Sequence, residues 1–221
     1  MSWESSIEYE RLINTAVRAE LGGTASADLI IRSYNFAEIE ALQEAGAWTA
    51  LGEILSRDAV SLEGAGAEAI VLCTNTMHKV ADAITARIDV PLIHIADATA
   101  GAVLSAGVTS VAVLGTRYTM EQDFYIDRLA SHGLEVLVPN ESDRTTIHDV
   151  IFDELVRGVT TDQSRDAYLG VIERLATAGA QGVIAGCTEI ELLIGPDDVP
   201  IPYFPTTAIH AAAAATFALD R

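Results

Sequence analysis

The sequence predicts an α/β protein built from two like halves, and three observations carry that reading. Short apolar runs alternate with stretches of helical period along all 221 residues. Most of those runs are apolar on both faces, as strands buried in a parallel sheet are. One local pattern also occurs twice. Its first copy runs Ala65-Gly66-Ala67-Glu68-Ala69-Ile70-Val71-Leu72-Cys73-Thr74, and its second runs Ala178-Gly179-Ala180-Gln181-Gly182-Val183-Ile184-Ala185-Gly186-Cys187-Thr188. The second copy has one extra residue before its cysteine. Each copy reads as a helix end, an Ala-Gly-Ala turn, a short apolar strand and Cys-Thr at the mouth of the next loop.

Taken in order, helical period predicts helices over Ser5–Leu21, Phe36–Glu44, Thr49–Glu63, Thr76–Arg87, Ala98–Ala106, Thr119–His132, Thr146–Arg157, Asp162–Ala178 and Thr207–Leu219. The apolar runs between them predict strands over Asp28–Tyr34, Ala69–Leu72, Pro91–Ile95, Ser110–Leu114, Glu135–Val138, Gly182–Ala185 and Pro202–Phe204. Alternation of this kind gives parallel sheets covered by helices, with ligands held beyond the carboxyl ends of the strands. The halves divide near Ala96–Ala100, with the final helix packing back on the first half. The expected domains are therefore 1–97 plus 207–221, and 98–206.

Composition excludes several classes. Hydrophobic residues make up 50% and charged ones 20%, enough for a substantial core. A net charge of −19 argues against nucleic-acid binding, which needs a basic footprint. No apolar run reaches the length of a membrane span, and Met1-Ser2-Trp3-Glu4 does not read as a secretory signal. Two cysteines in all suit free thiols in a reducing cytoplasm rather than a disulfide framework. Lys79 is the sole lysine, and no phosphate-cradling glycine loop stands near it. Pyridoxal phosphate, which needs a Schiff-base lysine, is therefore not expected. No tight Cys/His cluster forms around His78 or His94, so no metal is expected either.

The chemistry gathers at strand ends. Cys73-Thr74-Asn75-Thr76 leaves one strand and is expected to open a helix, whose N–H groups and partial positive charge lower a thiol's pKa and hold a carboxylate. Alone, Cys73 reads as a small core residue, as most free cysteines do; the second copy argues for chemistry. Gly186-Cys187-Thr188-Glu189 has the same placement. Glu189 either caps the next helix, or orients or deprotonates the thiol, or binds a substrate ammonium. Gly115-Thr116-Arg117-Tyr118-Thr119 also ends a strand; Thr116 and Thr119 are candidate carboxylate binders, with a plain N-cap at Thr119 and a surface charge at Arg117 as the alternative. His210 reads as a buried hydrogen-bonding histidine or a residue beside the site. Two like thiols from two like halves suit inversion of a carbon centre by proton removal on one face and return on the other.

In these residues the chain resembles the cofactor-independent aspartate/glutamate racemases, especially the broad-specificity bacterial members. The resemblance runs through Met1-Ser2-Trp3-Glu4-Ser5, Cys73-Thr74-Asn75-Thr76-Met77-His78, His94-Ile95-Ala96-Asp97-Ala98-Thr99, Gly115-Thr116-Arg117-Tyr118-Thr119-Met120 and Gly186-Cys187-Thr188-Glu189. Glu189 after Cys-Thr is similar to the aspartate racemase branch. The resemblance implies two pseudosymmetric α/β domains, an active site in the cleft between them, and Cys73 and Cys187 as an opposed thiol/thiolate pair. It implies that Met1, Ser2, Thr74, Asn75, Thr76, Thr116, Arg117, Tyr118, Thr119, Thr188 and Glu189 surround an acidic amino acid. Gln43 and Arg165 are the candidates for its side-chain carboxylate. Relatives begin with an apolar strand just ahead of the Met-Ser-Trp segment; without it the first half is expected to have unpaired edges and an open core. Pro205 stands where relatives generally have Asp. The small amino acid is the expected partner, with no nucleic acid and no membrane, and with a homodimer left open. The alternatives are a related cysteine-pair enzyme of the hydantoin racemase or maleate isomerase type, and a non-catalytic amino-acid-binding protein on the same scaffold.

Overall fold

The computed structural model describes residues 1–220, which divide into two compact units: Met1–His94 with 210–220, and Ile95–Ile209.

In the first unit, helix α1 (Trp3–Leu21) starts where the Ser2 hydroxyl accepts the Ser5 N–H at 3.2 Å, an N-cap. Tyr9, Ile13 and Val17 recur every four residues on one buried face. That face packs on Ala211, Ala214 and Ala215 of the last helix, α10 (Thr206–Leu219). Helices α2 (Phe36–Glu44) and α3 (Trp48–Gly64) follow. Strand β1 (Ile70–Val71) pairs in parallel with β2 (Leu92–Ile93), and between them lie a 3₁₀ turn (Thr76–Val80) and the short α4 (Ala81–Thr85). Leu51, Leu55, Met77 and Ile84 fill the core between α3, β1 and the turn.

The expected strand Asp28–Tyr34 does not form: these residues carry no regular structure. Leu29, Ile30 and Ile31 are 38%, 50% and 50% exposed. An apolar run becomes a strand only when a neighbouring edge takes its backbone hydrogen bonds, and the segment has no such pairing. Instead, a cavity of about 530 Å³ is lined by both Leu29–Arg32 and Ile70–Cys73.

The second unit is a four-stranded, all-parallel sheet in the order β4-β3-β5-β6. Its members are β3 (Ser110–Gly115), β4 (Glu135–Leu137), β5 (Gly182–Gly186) and β6 (Tyr203–Pro205). Helices α5 (Ile95–Ser105), α6 (Arg117–Glu121), α7 (Asp123–Ser131), α8 (Glu141–Asp153) and α9 (Asp162–Thr177) belong to this unit. One buried cluster joins Leu114, Val183 and Ala185 to Ile147, Tyr168 and Ile172; another joins Val111, Val113 and Ile184 to Val103, Tyr125 and Leu129. The alternate residues of β3 and β5 thus feed opposite faces, as period-two side chains must.

Several boundaries differ from expectation. The run Thr119–His132 is two helices, because Gln122 is extended (φ −107°, ψ 141°). Thr146–Arg157 begins earlier, at Glu141, where Asn140 Oδ1 accepts the Asp143 N–H, and it ends in a 3₁₀ turn at Leu155–Arg157. Thr76–Arg87 opens as a 3₁₀ turn and becomes α-helical only over Ala81–Thr85. Pro91–Ile95 shortens to β2, since Ile95 already starts α5.

Candidate functional site

Cys73 stands just past β1 in a tight turn, with the Thr74 N–H bonded back to Leu72 O at 2.7 Å. Its thiol lies 3.7 Å from Val71 O, its carbonyl accepts from the Met1 nitrogen at 2.6 Å, and Asn75 and Thr76 behind it are buried. His78 closes the turn: its N–H reaches Asn75 O at 3.0 Å and its ring Nδ1 reaches Thr74 O at 2.7 Å. Burial pushes the Cys73 thiol up to about 11, against a smaller opposing pull from the amino group of Met1. The sequence leads one to expect a helix end lowering this pKa; the 3₁₀ turn that stands there does not outweigh desolvation.

Cys187 leaves β5 in extended geometry (φ −156°, ψ 134°). Gly186 pairs with Gly115 of β3, so Cys187 and Thr116 leave adjacent strands together. The approach is close: a Cβ on Gly186 would stand 2.9 Å from Leu114 O. The Cys187 S–H donates to Glu189 Oε2 at 2.8 Å, and Glu189 is buried. Burial first, and the Glu189 charge second, hold this thiol well above its ordinary pKa. Glu189 thus faces the thiol from the first turn of the 3₁₀ helix Thr188–Leu192. Thr188 Oγ1 accepts from Thr207 Oγ1 at 3.3 Å, and Thr206 Oγ1 donates to Ala185 O at 2.8 Å, tying the Cys187 loop to the start of α10.

Thr116, not Thr119, is the N-cap residue of α6, and the two hydroxyls lie 3.3 Å apart. The Arg117 N–H donates to His148 Nδ1 at 3.2 Å, its guanidinium reaches Thr145 Oγ1 at 3.4 Å and Glu121 at 3.7 Å, and the Tyr118 ring stands edge-on to His148 at 6.4 Å. Within the second unit, the structure therefore brings together Thr116–Thr119, Cys187, Thr188 and Glu189. Within the first it brings together Met1, Cys73, Thr74, Asn75 and Thr76, while Ser2 caps α1.

Two expected binders are engaged elsewhere. Gln43 is buried and donates to Met77 Sδ at 3.0 Å, and Arg165 is ion-paired with Asp198. Two supporting residues escaped the sequence reading. His148 follows no motif, and only its contact with Arg117 reveals it. His78 closes the Cys73–His78 stretch of the resemblance, and its four-residue spacing from Thr74 suits a ring-to-carbonyl bond, a role the sequence analysis does not assign it. His210 is fully buried, with Nε2 donating to Ile93 O at 2.7 Å and Nδ1 accepting from the Tyr9 hydroxyl at 2.8 Å. Among the described residues no group of three or more His, Cys, Asp or Glu is arranged to hold a metal, and no helix is long and apolar enough to cross a membrane.

Residues 1–214 match the family described as Asp/Glu/Hydantoin racemase. A crystal structure of a candidate Asp/Glu racemase from Yersinia pestis superposes with a TM-score of 0.93 at 53% identity, covering 99% of this chain and 95% of that one. An aspartate racemase homologue from Pyrococcus horikoshii OT3 gives 0.85 at 35% identity, covering 98% and 94%. A glutamate racemase from Koribacter versatilis (strain Ellin345) is 32% identical over 155 residues, 63% of this chain and 50% of that protein's length.

Proposed function

Because the chain belongs to the Asp/Glu/hydantoin racemase family, we propose that it is an isomerase that inverts Cα of an acidic amino acid without pyridoxal phosphate or metal. The observation that carries this reading is the repeated placement of a thiol at the carboxyl end of a parallel strand, Cys73 beyond β1 and Cys187 beyond β5. A binding pocket has no need of two such thiols.

The proton balance is simple. One sulfur, as thiolate, takes the Cα proton and becomes a thiol. The electron pair left on carbon spreads into the α-carboxylate. The other sulfur, as thiol, delivers its proton to the opposite face and becomes the thiolate. Hydroxyl donors on Thr74, Thr76, Thr116 and Thr119 suit the charge that builds on the carboxylate. Glu189 gives Cys187 its own proton acceptor at 2.8 Å, which Cys73 lacks in Val71 O at 3.7 Å. Arg165 is paired with Asp198, which leaves Arg117, on the loop beside Cys187 and paired with Glu121, as the cation offered for the substrate side chain.

The test is racemisation with exchange in deuterated water, using L- and D-aspartate and glutamate. Cys73→Ala and Cys187→Ala should each abolish racemisation. With an enantiomeric pair of β-chloro acids, elimination of HCl should survive for one enantiomer in one variant and for the other enantiomer in the other, because each sulfur sees one face. Full racemisation in either variant, or loss of the same enantiomer in both, overturns the opposed-thiol mechanism. The family description also admits hydantoins; turnover of a 5-substituted hydantoin but not of the amino acids assigns the chain to that branch.

A further inference from the structure

The start of α6 is capped from another helix. Thr116 is its N-cap residue, but the Thr116 hydroxyl lies 3.3 Å from Thr119 Oγ1 and makes no side-chain cap bond. A helix start leaves its first N–H groups without intrahelical partners. The one on Arg117 is taken by His148 of α8, 31 residues on, whose Nδ1 accepts it at 3.2 Å. The ring is set from two sides, by Phe152 one turn further along α8 at 4.8 Å between centroids and by the edge of Tyr118 at 6.4 Å. The cap is thus a tertiary contact, made by a side chain of a type that titrates near neutral pH.

An imidazole nitrogen accepts a hydrogen bond only while it carries no proton. With Nδ1 as acceptor, the neutral ring keeps its proton on Nε2. Protonation puts an N–H on both nitrogens, so His148 then meets the Arg117 N–H as a second donor and the contact turns repulsive. The surroundings decide when this happens. Burial is the largest influence and the Arg117 charge the next, and both hold the ring's pKa below its ordinary 6.5. Asp149 and Asp153 on α8 and Glu121 on α6 pull the other way. Glu121 is shared between Arg144 at 2.9 Å and Arg117 at 3.7 Å, which blunts its pull.

We propose that His148 is an acid-sensitive clasp on the Thr116–Thr119 segment: neutral, it caps α6 through the Arg117 N–H, and protonated, it lets the segment go. The switch is local. Strand β3 behind the segment is buried along its whole length, from Ser110 to Gly115, and carries no side chain that titrates in this range. What loosens is the first turn of α6, where the N–H groups of Thr119 and Met120 both donate to Thr116 O, at 2.9 and 3.0 Å. Thr116 leaves the sheet alongside Cys187, because Gly115 and Gly186 are paired. Acid therefore loosens one edge of the candidate site while the sheet that carries it stays intact. The clasp follows from contacts within this unit and stands whether or not the chain racemises amino acids.

The experiment measures amide exchange by NMR in the full chain at pH 7 and pH 5, each rate divided by that of an unstructured chain at the same pH. Protection of the Thr119 and Met120 amides should fall about fivefold or more on acidification, the size expected of a lost helix cap, while protection of Val113 in β3 changes less than about twofold. The fall should follow the titration of the His148 ring itself, with a midpoint below 6.5. His148→Asn puts an amide oxygen, an acceptor that does not titrate, in place of Nδ1; it should keep at pH 5 the protection that the wild type shows at pH 7. His148→Phe, checked for folding by circular dichroism, should show the low value at both pH values. Unchanged protection in the wild type, or an equal fall in His148→Asn, overturns the proposal, as does wild-type protection at pH 7 in folded His148→Phe. If His148→Phe does not fold, the wild type and His148→Asn decide between them.

Discussion

The two cysteine motifs are nearly the same sequence set in two different frames. In the second unit, β5 has a strand on each side, and all five of its residues are buried. In the first, β1 is two residues long and has β2 alone as a partner. The same apolar pattern therefore gives a five-residue central strand in one place and a two-residue edge in the other. A strand is a property of the pair, not of the segment. Where the second neighbour is lacking, the apolar run Leu29–Ile31 stays half-exposed beside a cavity of about 530 Å³. The second unit is held by its sheet. The first depends more on helix packing of α1 on α10 and on buried polar ties such as Tyr9–His210–Ile93.

The largest effect should come from cutting into the better-formed sheet. Ile184 is fully buried in β5, against Phe204, Val113 and Tyr125 among others. Strands on both sides leave little room for collapse, so Ile184→Ala should cost about 2–5 kcal/mol of stability, the range for truncation of a buried Ile. Denaturant unfolding measures it. A loss of less than 1 kcal/mol would mean that the second unit packs no better than the first.

The second unit was largely legible in the sequence because its signals are local and mutually supporting. Ser110–Leu114 and Gly182–Ala185 are apolar on both faces, and each finds the neighbour that a parallel sheet requires. The first unit was legible in its helices, since the spacing of Tyr9, Ile13 and Val17 needs no partner strand to be read. Asp28–Tyr34 was misread because its composition is that of a strand while its pairing is a tertiary fact. The split at Gln122 was missed for the opposite reason: one extended residue breaks the helix without disturbing the apolar period on either side. Of the candidate site, the two cysteine loops are readable as a repeat at strand ends, and Gly115–Thr119 as a third loop at the end of a strand. The contacts that hold them were not. Glu189 on Cys187, His78 on Thr74 and His148 on Arg117 are side-chain geometries that no spacing determines uniquely, and the Asp198 partner of Arg165 lies 33 residues away in sequence.

Acid should separate the two units next. Burial holds the His210 ring neutral, pushing its pKa down from the ordinary 6.5 to about 4. The folded state then binds fewer protons than the unfolded chain between those values. The contribution is fully present above the unfolded pKa and is lost as pH falls towards 4, by up to ~3 kcal/mol at 1.36 kcal/mol per unit. The first unit should therefore loosen first: amides of Ile70 and Ile93 should lose exchange protection at pH 5 before those of Val113 and Ile184. In His210→Gln the drop in stability between pH 7 and pH 5 should be smaller than in the wild type. Superimposable pH profiles for the two proteins would remove His210 as the cause.

The smallest effect tests the frame itself. Ile30 has the same side chain as Ile184 and lies in a run the sequence marks as a strand, yet it is half-exposed and unpaired in any sheet. Little apolar area is withdrawn from water there, and no ladder hydrogen bond depends on it. Ile30→Ala should thus change stability by no more than about 0.5 kcal/mol, as surface substitutions do, against several times that at Ile184. The comparison can also be reversed. Fusing an apolar strand of about six residues ahead of Met1, whose nitrogen lies 2.6 Å from Cys73 O at the end of β1, would bring a third strand to the free edge and the cavity. In that background Ile30 gains a neighbour on which to pack, and Ile30→Ala should become costly, by about 1–3 kcal/mol for a newly buried side chain. A polar extension of equal length should leave it near zero. If Ile30→Ala costs the same in all three backgrounds, the difference between the units does not lie in strand pairing, and the exposed run must be held by something other than the edge of β1.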